Sequence, residues 1–143
     1  MSFLTERQPV DVFARLENDQ AQVDVYNALN LTLDDWTLVS LATNGAAVPQ
    51  KLHYELRLYG TEGVLTQDLW QGTLTEYGRD GSVIEYPPLR PDEIYPLYAP
   101  ATNLIDTILG LAENGSPARH GVFAAKIADA AVASALCGNT VRL

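Results

Sequence analysis

The stretch Gly60-Thr61-Glu62-Gly63 has glycines spaced closely enough to raise the question of phosphate binding. A phosphate-binding glycine loop opens a helix, because the helix N-terminus supplies oriented amides and a positive dipole. Here an alternating polar and apolar pattern resumes after Gly63, so the loop opens a strand, and Glu62 brings a negative charge into it. We therefore interpret this stretch as a hairpin turn whose glycines permit positive φ.

One predicted strand carries three side chains that could bind a ligand or take part in catalysis. They occupy alternate positions, His53, Glu55 and Arg57. They project from the same strand face at about 7 Å spacing, which is close enough for a small polar cluster. A metal site would need a third ligand, and the sequence does not locate one. We interpret the three residues as a polar stripe that faces solvent or an interface.

The remaining candidates have simpler structural explanations. No serine or cysteine is framed by a nucleophile elbow, and Cys137 lacks the positive neighbours that lower a thiol pKa, so we expect a small buried or half-buried apolar residue. We expect a surface imidazole at His120 and turn residues at Asp34-Asp35. The sequence therefore predicts no catalytic, cofactor-binding or metal-binding residue. The tyrosines that could include a substrate contact are Tyr54, Tyr59, Tyr77, Tyr86, Tyr95 and Tyr98.

Bulk composition narrows the class of protein. The 143 residues are enough for one domain, and we expect a single domain over residues 1–143. A net charge of −9 repels nucleic acid and anionic membranes. The single cysteine excludes an internal disulfide and favours a reducing, cytoplasmic setting. We find no signal-peptide pattern, and no apolar run reaches the roughly 18 residues of a membrane span.

The first 86 residues are typical of antiparallel strands. The apolar pattern has a period close to two, and the predicted strands are joined by short loops, which parallel crossovers cannot use. We predict strands within residues 9–86, and a third strand that begins at Trp36. A fourth begins at Leu52 and ends at Tyr59. The segment 87–100 holds five prolines and is predicted to be irregular.

After residue 100 the apolar period becomes helical. Leu104, Ile105 and Ile108 recur at helical spacing, which predicts a helix over about 101–114. Ser116-Pro117 begins a second helix over about 117–137, and a last strand follows over 140–143. The short connection between the helices predicts a helical hairpin.

Strands first and helices last indicate an α+β fold. We predict a mainly antiparallel, open-faced sheet of about six to eight strands with the C-terminal helical hairpin packed on one face. Two helices cannot cover both faces, so the other face meets water or another protein. On that open face we expect Asp24, Tyr26, Ala28, Asn30 and Thr32 of the second strand, with Thr37, Val39, Leu41 and Thr43 of the third.

Four sequence segments resemble the C-terminal domain of the Gfo/Idh/MocA oxidoreductases, the glucose-fructose oxidoreductase and inositol dehydrogenase family. They are YELRLYGTEGVL at 54–65, NLIDTILG at 103–110, NGSP at 114–117 and ASALCGNTVRL at 133–143. The earlier stretch VDVYNALNLTLDDWTLVSLATNG, residues 23–45, also fits the pattern of that domain. The resemblance covers nearly the whole chain.

The resemblance implies a two-domain enzyme. An N-terminal Rossmann domain binds NAD or NADP, and the α+β domain shapes the substrate pocket and forms oligomers through its open sheet face. This sequence has no G-x-G-x-x-G fingerprint, no Glu-Lys-Pro and no Asp followed four residues later by His, so no catalytic residue of the family can be assigned to it. We expect these missing motifs to lie upstream of Phe3. The chain would then be a C-terminal domain that begins just after the segment with the catalytic histidine.

From this resemblance we expect the substrate-side and oligomerisation domain of an NAD(P)-dependent oxidoreductase acting on a sugar, cyclitol or polyol. The domain would be inactive alone and would act with its Rossmann domain, as a homo-oligomer. An alternative is a stand-alone binding or dimerisation module that uses the open face. A third, an independent enzyme in a cone-shaped α+β fold, would need a pocket with paired titratable groups that the sequence does not indicate.

Overall fold

The computed structural model describes residues 2–48 and 53–143. These residues form two compact units, residues 1–47 with 114–143 and residues 48–113, and each is described by itself. The strands are β1 (Pro9–Glu17), β2 (Tyr26–Leu33), β3 (Leu38–Asn44), β4 (Glu55–Tyr59), β5 (Gly63–Asp68), β6 (Thr73–Gly78), β7 (Val83–Glu85) and β8 (Val141–Arg142). The helices are α1 (Ser2–Thr5), α2 (Pro91–Ile94), α3 (Ala99–Ile108) and α4 (Ala118–Cys137).

The first unit contains a four-stranded antiparallel sheet in the order β3-β2-β1-β8, with α4 on one face. Alternation along β1 sends Val12 and Ala14 toward the helix, where they pack against Ala130 and Ala131 of α4. The small alanine side chains let the helix lie close to the strand, and they contribute little volume to the buried core. The C-terminal segment was predicted to end in a strand, and β8 pairs with β1 as expected.

Helix α4 begins after Pro117 and ends at Gly138, whose φ of 71° is the left-handed conformation that glycine adopts most readily. The sequence led us to expect no membrane-length apolar segment, but by length and composition the 20-residue α4 is apolar enough to cross a membrane. A helix that covers a sheet passes the same test. Because its buried residues Ala130, Ala131 and Ser134 face β1, we interpret α4 as a sheet-covering helix.

The turn between β2 and β3 corrects the predicted third strand. The amide of Leu33 donates to the carbonyl of Thr37, so a three-residue loop closes the hairpin and β3 begins at Leu38 rather than Trp36. The loop length sets the register, which pairs Val39 with Leu31 on the side that faces α4. Val39, Leu41, Thr37 and Thr43 are therefore not the open-face residues of β3. Those are Leu38, Ser40, Ala42 and Asn44.

The second unit contains the sheet β4-β5-β6-β7, also antiparallel throughout. Gly60 donates its N–H to the carbonyl of Gly63 and closes the hairpin between β4 and β5, as predicted. The expected positive φ is wrong for both glycines, because neither Gly60 nor Gly63 adopts a left-handed conformation. A side chain at Gly63 would overlap the backbone oxygen of Tyr77 on β6, which explains why glycine is required there. The predicted start of the fourth strand, Leu52, lies outside the described residues.

The proline-rich segment is more regular than predicted. The helices α2 and α3 begin within it, and each carries its proline in the first turn, Pro91 in α2 and Pro100 in α3, where the missing N–H has no helical partner to lose. The segment crosses close to Gly72. A Cβ built on Gly72 would lie 2.7 Å from Ile94 Cγ1 and 2.9 Å from Leu89 Cβ, so any side chain there would collide with the segment. Glycine at φ 67° therefore lets the segment pack on the turn before β6.

The predicted α+β class with antiparallel strands is confirmed, with eight strands among residues 2–48 and 53–143. They form two sheets of four. Helices α3 and α4, predicted as a hairpin, belong to different units, and α4 packs against β1 and β8. The expectation of a single domain over residues 1–143 stays a prediction.

Candidate functional site

The polar residues predicted on the fourth strand do meet in the second unit, in a group that we call the His53 cluster: His53, Glu55, Arg57 and Asp68. Glu55 on β4 lies directly opposite Asp68 on β5. The imidazole of His53 reaches both carboxylates, with Nε2 3.4 Å from Glu55 Oε2 and Nδ1 3.5 Å from Asp68 Oδ2. Arg57 Nε contacts Glu55 Oε1 from the other side.

Within the His53 cluster, Glu55 and Arg57 form an ion pair. The hydrogen bond from Arg57 lowers the pKa of Glu55, and the charges of Arg57 and His53 act in the same direction against a smaller desolvation. The same bond raises the pKa of Arg57. A carboxyl group that serves as a general acid near neutral pH needs a raised pKa. Glu55 is therefore suited to binding or structure rather than to proton transfer.

Asp68 also stabilises the turn between β5 and β6. Its Oδ1 accepts hydrogen bonds from the backbone N–H groups of Trp70 and Gln71 at 2.9 and 2.8 Å, which closes the turn between β5 and β6. Among residues 2–48 and 53–143, no group of three His, Cys, Asp or Glu side chains is arranged to hold a metal ion. The sequence analysis missed Asp68. Counting outward from the Gly60–Gly63 turn would have placed it opposite Glu55.

Cys137 differs from its prediction. The sequence led us to expect a buried or half-buried apolar residue, but the thiol is exposed at the end of α4. Its Sγ lies 3.7 Å from the carbonyl of Ser134. Cys137 is the last residue of α4, beyond the buried Ser134.

Two further predicted positions have clear local roles. Asp35 belongs to the turn after β2, where it accepts the N–H of Thr37 at 3.0 Å and pairs with Arg7 at 3.3 Å. The hydrogen bonds from Thr37 lower the pKa of Asp35. Tyr86 donates its hydroxyl to Glu76 Oε2 at 2.9 Å, and this bond raises the pKa of the phenol. His120 lies in the first turn of α4, as predicted.

The bare side of the first sheet is the broadest candidate surface. We define the open face as the residues of β1, β2, β3 and β8 that point away from α4: Asp11, Phe13, Arg15, Glu17, Tyr26, Ala28, Asn30, Thr32, Leu38, Ser40, Ala42, Asn44 and Arg142. Ser40 donates to Asn30 Oδ1 at 2.7 Å, and Arg15 lies 5.6 Å from the ring centre of Phe13. These two contacts give partners within the face to Ser40, Asn30 and Arg15, which lowers the cost of covering those side chains.

Comparison with known proteins gives structural matches alone. No family model matches the chain, and no curated protein matches it. The chain is similar to an oxidoreductase domain protein from Kribbella flavida, with a TM-score of 0.83, 15% identity and coverage of 99% of this chain and 46% of that one. It is also similar to the aldose-aldose oxidoreductase from Caulobacter crescentus, with a TM-score of 0.80, 19% identity and coverage of 99% and 43%.

A third similar structure is an oxidoreductase from Agrobacterium radiobacter, determined in complex with NAD+, L-tartaric acid and magnesium. It matches with a TM-score of 0.74 and 18% identity, over 94% of this chain and 43% of that one. The chain spans about half the length of such proteins, or less. At these identities the likeness shows the fold, and that fold is the one predicted from the sequence, the C-terminal domain of the Gfo/Idh/MocA oxidoreductases.

Proposed function

We propose that this chain is the substrate-side and assembly domain of an NAD(P)-dependent oxidoreductase that acts on a sugar, cyclitol or polyol. The observation that carries the proposal is the fold, which covers 99% of this chain but 43–51% of the first three oxidoreductase chains that it matches. One similar protein is named for an aldose, and another was determined with NAD+ and a hydroxy acid. Both names support a polyhydroxylated substrate.

The chemistry in this proposal belongs to a second domain. Hydride transfer needs a nicotinamide held against the substrate carbon. Among the described residues we find a glycine loop that closes a hairpin and the polar His53 cluster with its Glu55–Arg57 ion pair, and neither supplies a nucleotide site. We therefore place NAD or NADP in an N-terminal Rossmann domain, and we propose a cytoplasmic enzyme that assembles as a homo-oligomer through the open face.

Calorimetric titration tests whether the nucleotide-binding site lies outside this chain. NAD+, NADH, NADP+ and NADPH titrated separately into the 143-residue chain should each give no heat beyond dilution. Mixed with NAD+ or NADP+ and an aldose or inositol as the hydride donor, the chain alone should also produce no NADH or NADPH absorbance. Saturable binding of any of the four nucleotides would contradict the proposal, because it would reveal a complete cofactor site within this chain.

The alternative of a stand-alone dimerisation module is favoured by one observation, the hydrogen bond from Ser40 to Asn30, which keeps both side chains paired when the open face is covered. The coding sequence upstream of Met1 separates the two proposals. A continuous reading frame that encodes a strand, G-x-G-x-x-G and a helix supports the oxidoreductase. A stop codon in frame, followed by a ribosome-binding site and initiation at Met1, supports the module.

A further inference from the structure

Trp36 occupies a position that normally belongs to glycine. It is the third residue of the loop that joins β2 to β3, and its φ is 67°. Three-residue hairpin loops place a left-handed residue at their end, and glycine is preferred there because it has no side chain to collide with the backbone. For a bulky residue this conformation is an outlier, and such outliers concentrate at functional positions.

The side chain of Trp36 is large and apolar, yet it is exposed to solvent. It is 85% exposed, and Leu38, two residues later, is 79% exposed. A tryptophan in water gains none of the stabilisation that burial of its large apolar surface would give. Within the described part of the chain, Trp36 therefore combines backbone strain with an unburied side chain. A surface that retains both is explained by a bound partner.

The turn holds this tryptophan in a fixed position. Asp35 Oδ1 accepts the N–H of Thr37 at 3.0 Å, and its Oδ2 pairs with Arg7 at 3.3 Å. The N–H of Asp34 donates to the carbonyl of Gln8 at 2.9 Å. Contacts on both sides of the loop leave little backbone freedom to lose on binding, which is the condition under which an exposed aromatic side chain contributes most to affinity.

Leu38 connects this turn to the open face, and the charges of that face indicate its partner. Asp11, Arg15, Glu17 and Arg142 are the charged members of the open face, so their charges cancel. The chain as a whole carries −9. Two copies repel each other over most of their surface, but this neutral face lets them approach without that penalty.

The shape of the open face agrees with a second copy. Ala28 and Ala42 lie opposite each other at its centre, where small side chains allow another sheet to approach to about 10 Å. Three strands of about 27 Å at about 4.8 Å spacing give a projected area on the order of 400 Å². Stable interfaces take about 800 Å² from each partner, so an anchor at the margin of the face is needed.

We propose that Trp36 and Leu38 anchor a second copy of this chain against the open face of the first sheet. In a symmetric pair each Trp36 would pack on the other copy, so that one interface contains the anchor twice. The inference rests on the assembly role in the proposed function and adds the residues that determine its strength. It also explains why a strained tryptophan is retained where glycine would fold more easily.

Light scattering coupled to size exclusion, over a concentration series of the full chain, tests the anchor. The wild type should have at least twice the 15.6 kDa mass of one chain at high concentration. Trp36→Gly should weaken association at least tenfold, as expected for a hot-spot residue. It should also raise the denaturant midpoint at dilutions where both proteins are monomers, because the strain is relieved. Trp70→Gly, at an exposed tryptophan of the second unit, should leave association unchanged.

Ala28→Arg, at the centre of the open face, distinguishes this inference from the proposed function, and circular dichroism checks that each variant folds. If Ala28→Arg prevents association and Trp36→Gly does not, the anchor is wrong and the assembly face stands. If Trp36→Gly weakens association and Ala28→Arg does not, the partner does not bind the open face and the inference is overturned. A wild type that remains monomeric at every concentration overturns both the anchor and the assembly role.

Discussion

Substitution of Ser134 by alanine should destabilise the first unit more than any other deletion of a single oxygen atom there. The hydroxyl is completely buried, at 0% exposure, between α4 and the sheet. It accepts the N–H of Ala14 on β1 at 2.9 Å and donates to the carbonyl of Asn139 at 2.7 Å. Ala14 lies beyond the pairs that join β1 to β8, so no strand supplies its N–H with a partner.

The expected cost follows from the two groups that lose their partner. Loss of the partner costs about 1–3 kcal/mol for the buried N–H of Ala14 and about 1 kcal/mol for the carbonyl of the exposed Asn139, so Ser134→Ala should lower the free energy of unfolding by about 2–4 kcal/mol. In a protein of this size, that loss lowers the thermal midpoint on the order of 10 °C. Thermal unfolding followed by circular dichroism, with urea unfolding for the free energy, measures both quantities.

Ser116→Ala is the matched control for Ser134. Ser116 is exposed in the loop before α4, where loss of a hydroxyl changes stability by less than about 0.5 kcal/mol. A midpoint for Ser134→Ala within 1–2 °C of the wild type, or equal effects of the two substitutions, would refute the role that we assign to the buried hydroxyl.

Three further outcomes follow from the structure. Gly63→Ala places a Cβ against the backbone oxygen of Tyr77 and should cost about 1–3 kcal/mol, whereas Gly121→Ala, in open space within α4, should stabilise by up to about 1 kcal/mol; urea unfolding compares them. Asp68→Ala should cost about 0.5–2 kcal/mol and Asp68→Asn much less, because the amide oxygen still accepts both turn N–H groups. Glu55 has a lowered pKa, so its stabilising effect is present above the ordinary glutamate range and is lost as pH falls through the folded pKa. The stability difference between wild type and Glu55→Gln should therefore vanish in acid, and a constant difference across pH would contradict this.

The sequence analysis succeeded where local pattern and turn chemistry agree. The alternation before Gly60 and after Gly63 predicted the hairpin of β4 and β5, and Ser116-Pro117 predicted where the last helix begins. The order of strands before helices indicated the α+β class. These features depend on short stretches of chain, in which propensity and burial act together.

The wrong predictions share a cause. Strand register depends on the number of residues in each loop, and the alternation of polar and apolar residues does not determine that number. The loop has three residues where the turn Asp34-Asp35 predicted two, and Val39 and Leu41 therefore lie on the face opposite to the predicted one. The role of Ser134 was not predicted, because its hydrogen-bond partners lie 120 residues away in one case and beyond the helix end in the other. Such contacts are set by tertiary packing, which local patterns do not contain.

Cross-linking at the open face tests the central claim of an assembly surface most directly. In a Cys137→Ser background, a cysteine introduced by Ala42→Cys lies on the open face, and one introduced by Leu41→Cys lies on the opposite face and is also accessible to solvent. With a short bismaleimide linker, Ala42→Cys should give a covalent dimer at concentrations where the wild type associates, and Leu41→Cys should stay monomeric. Equal cross-linking of the two variants, or dimers from Leu41→Cys alone, would contradict the account.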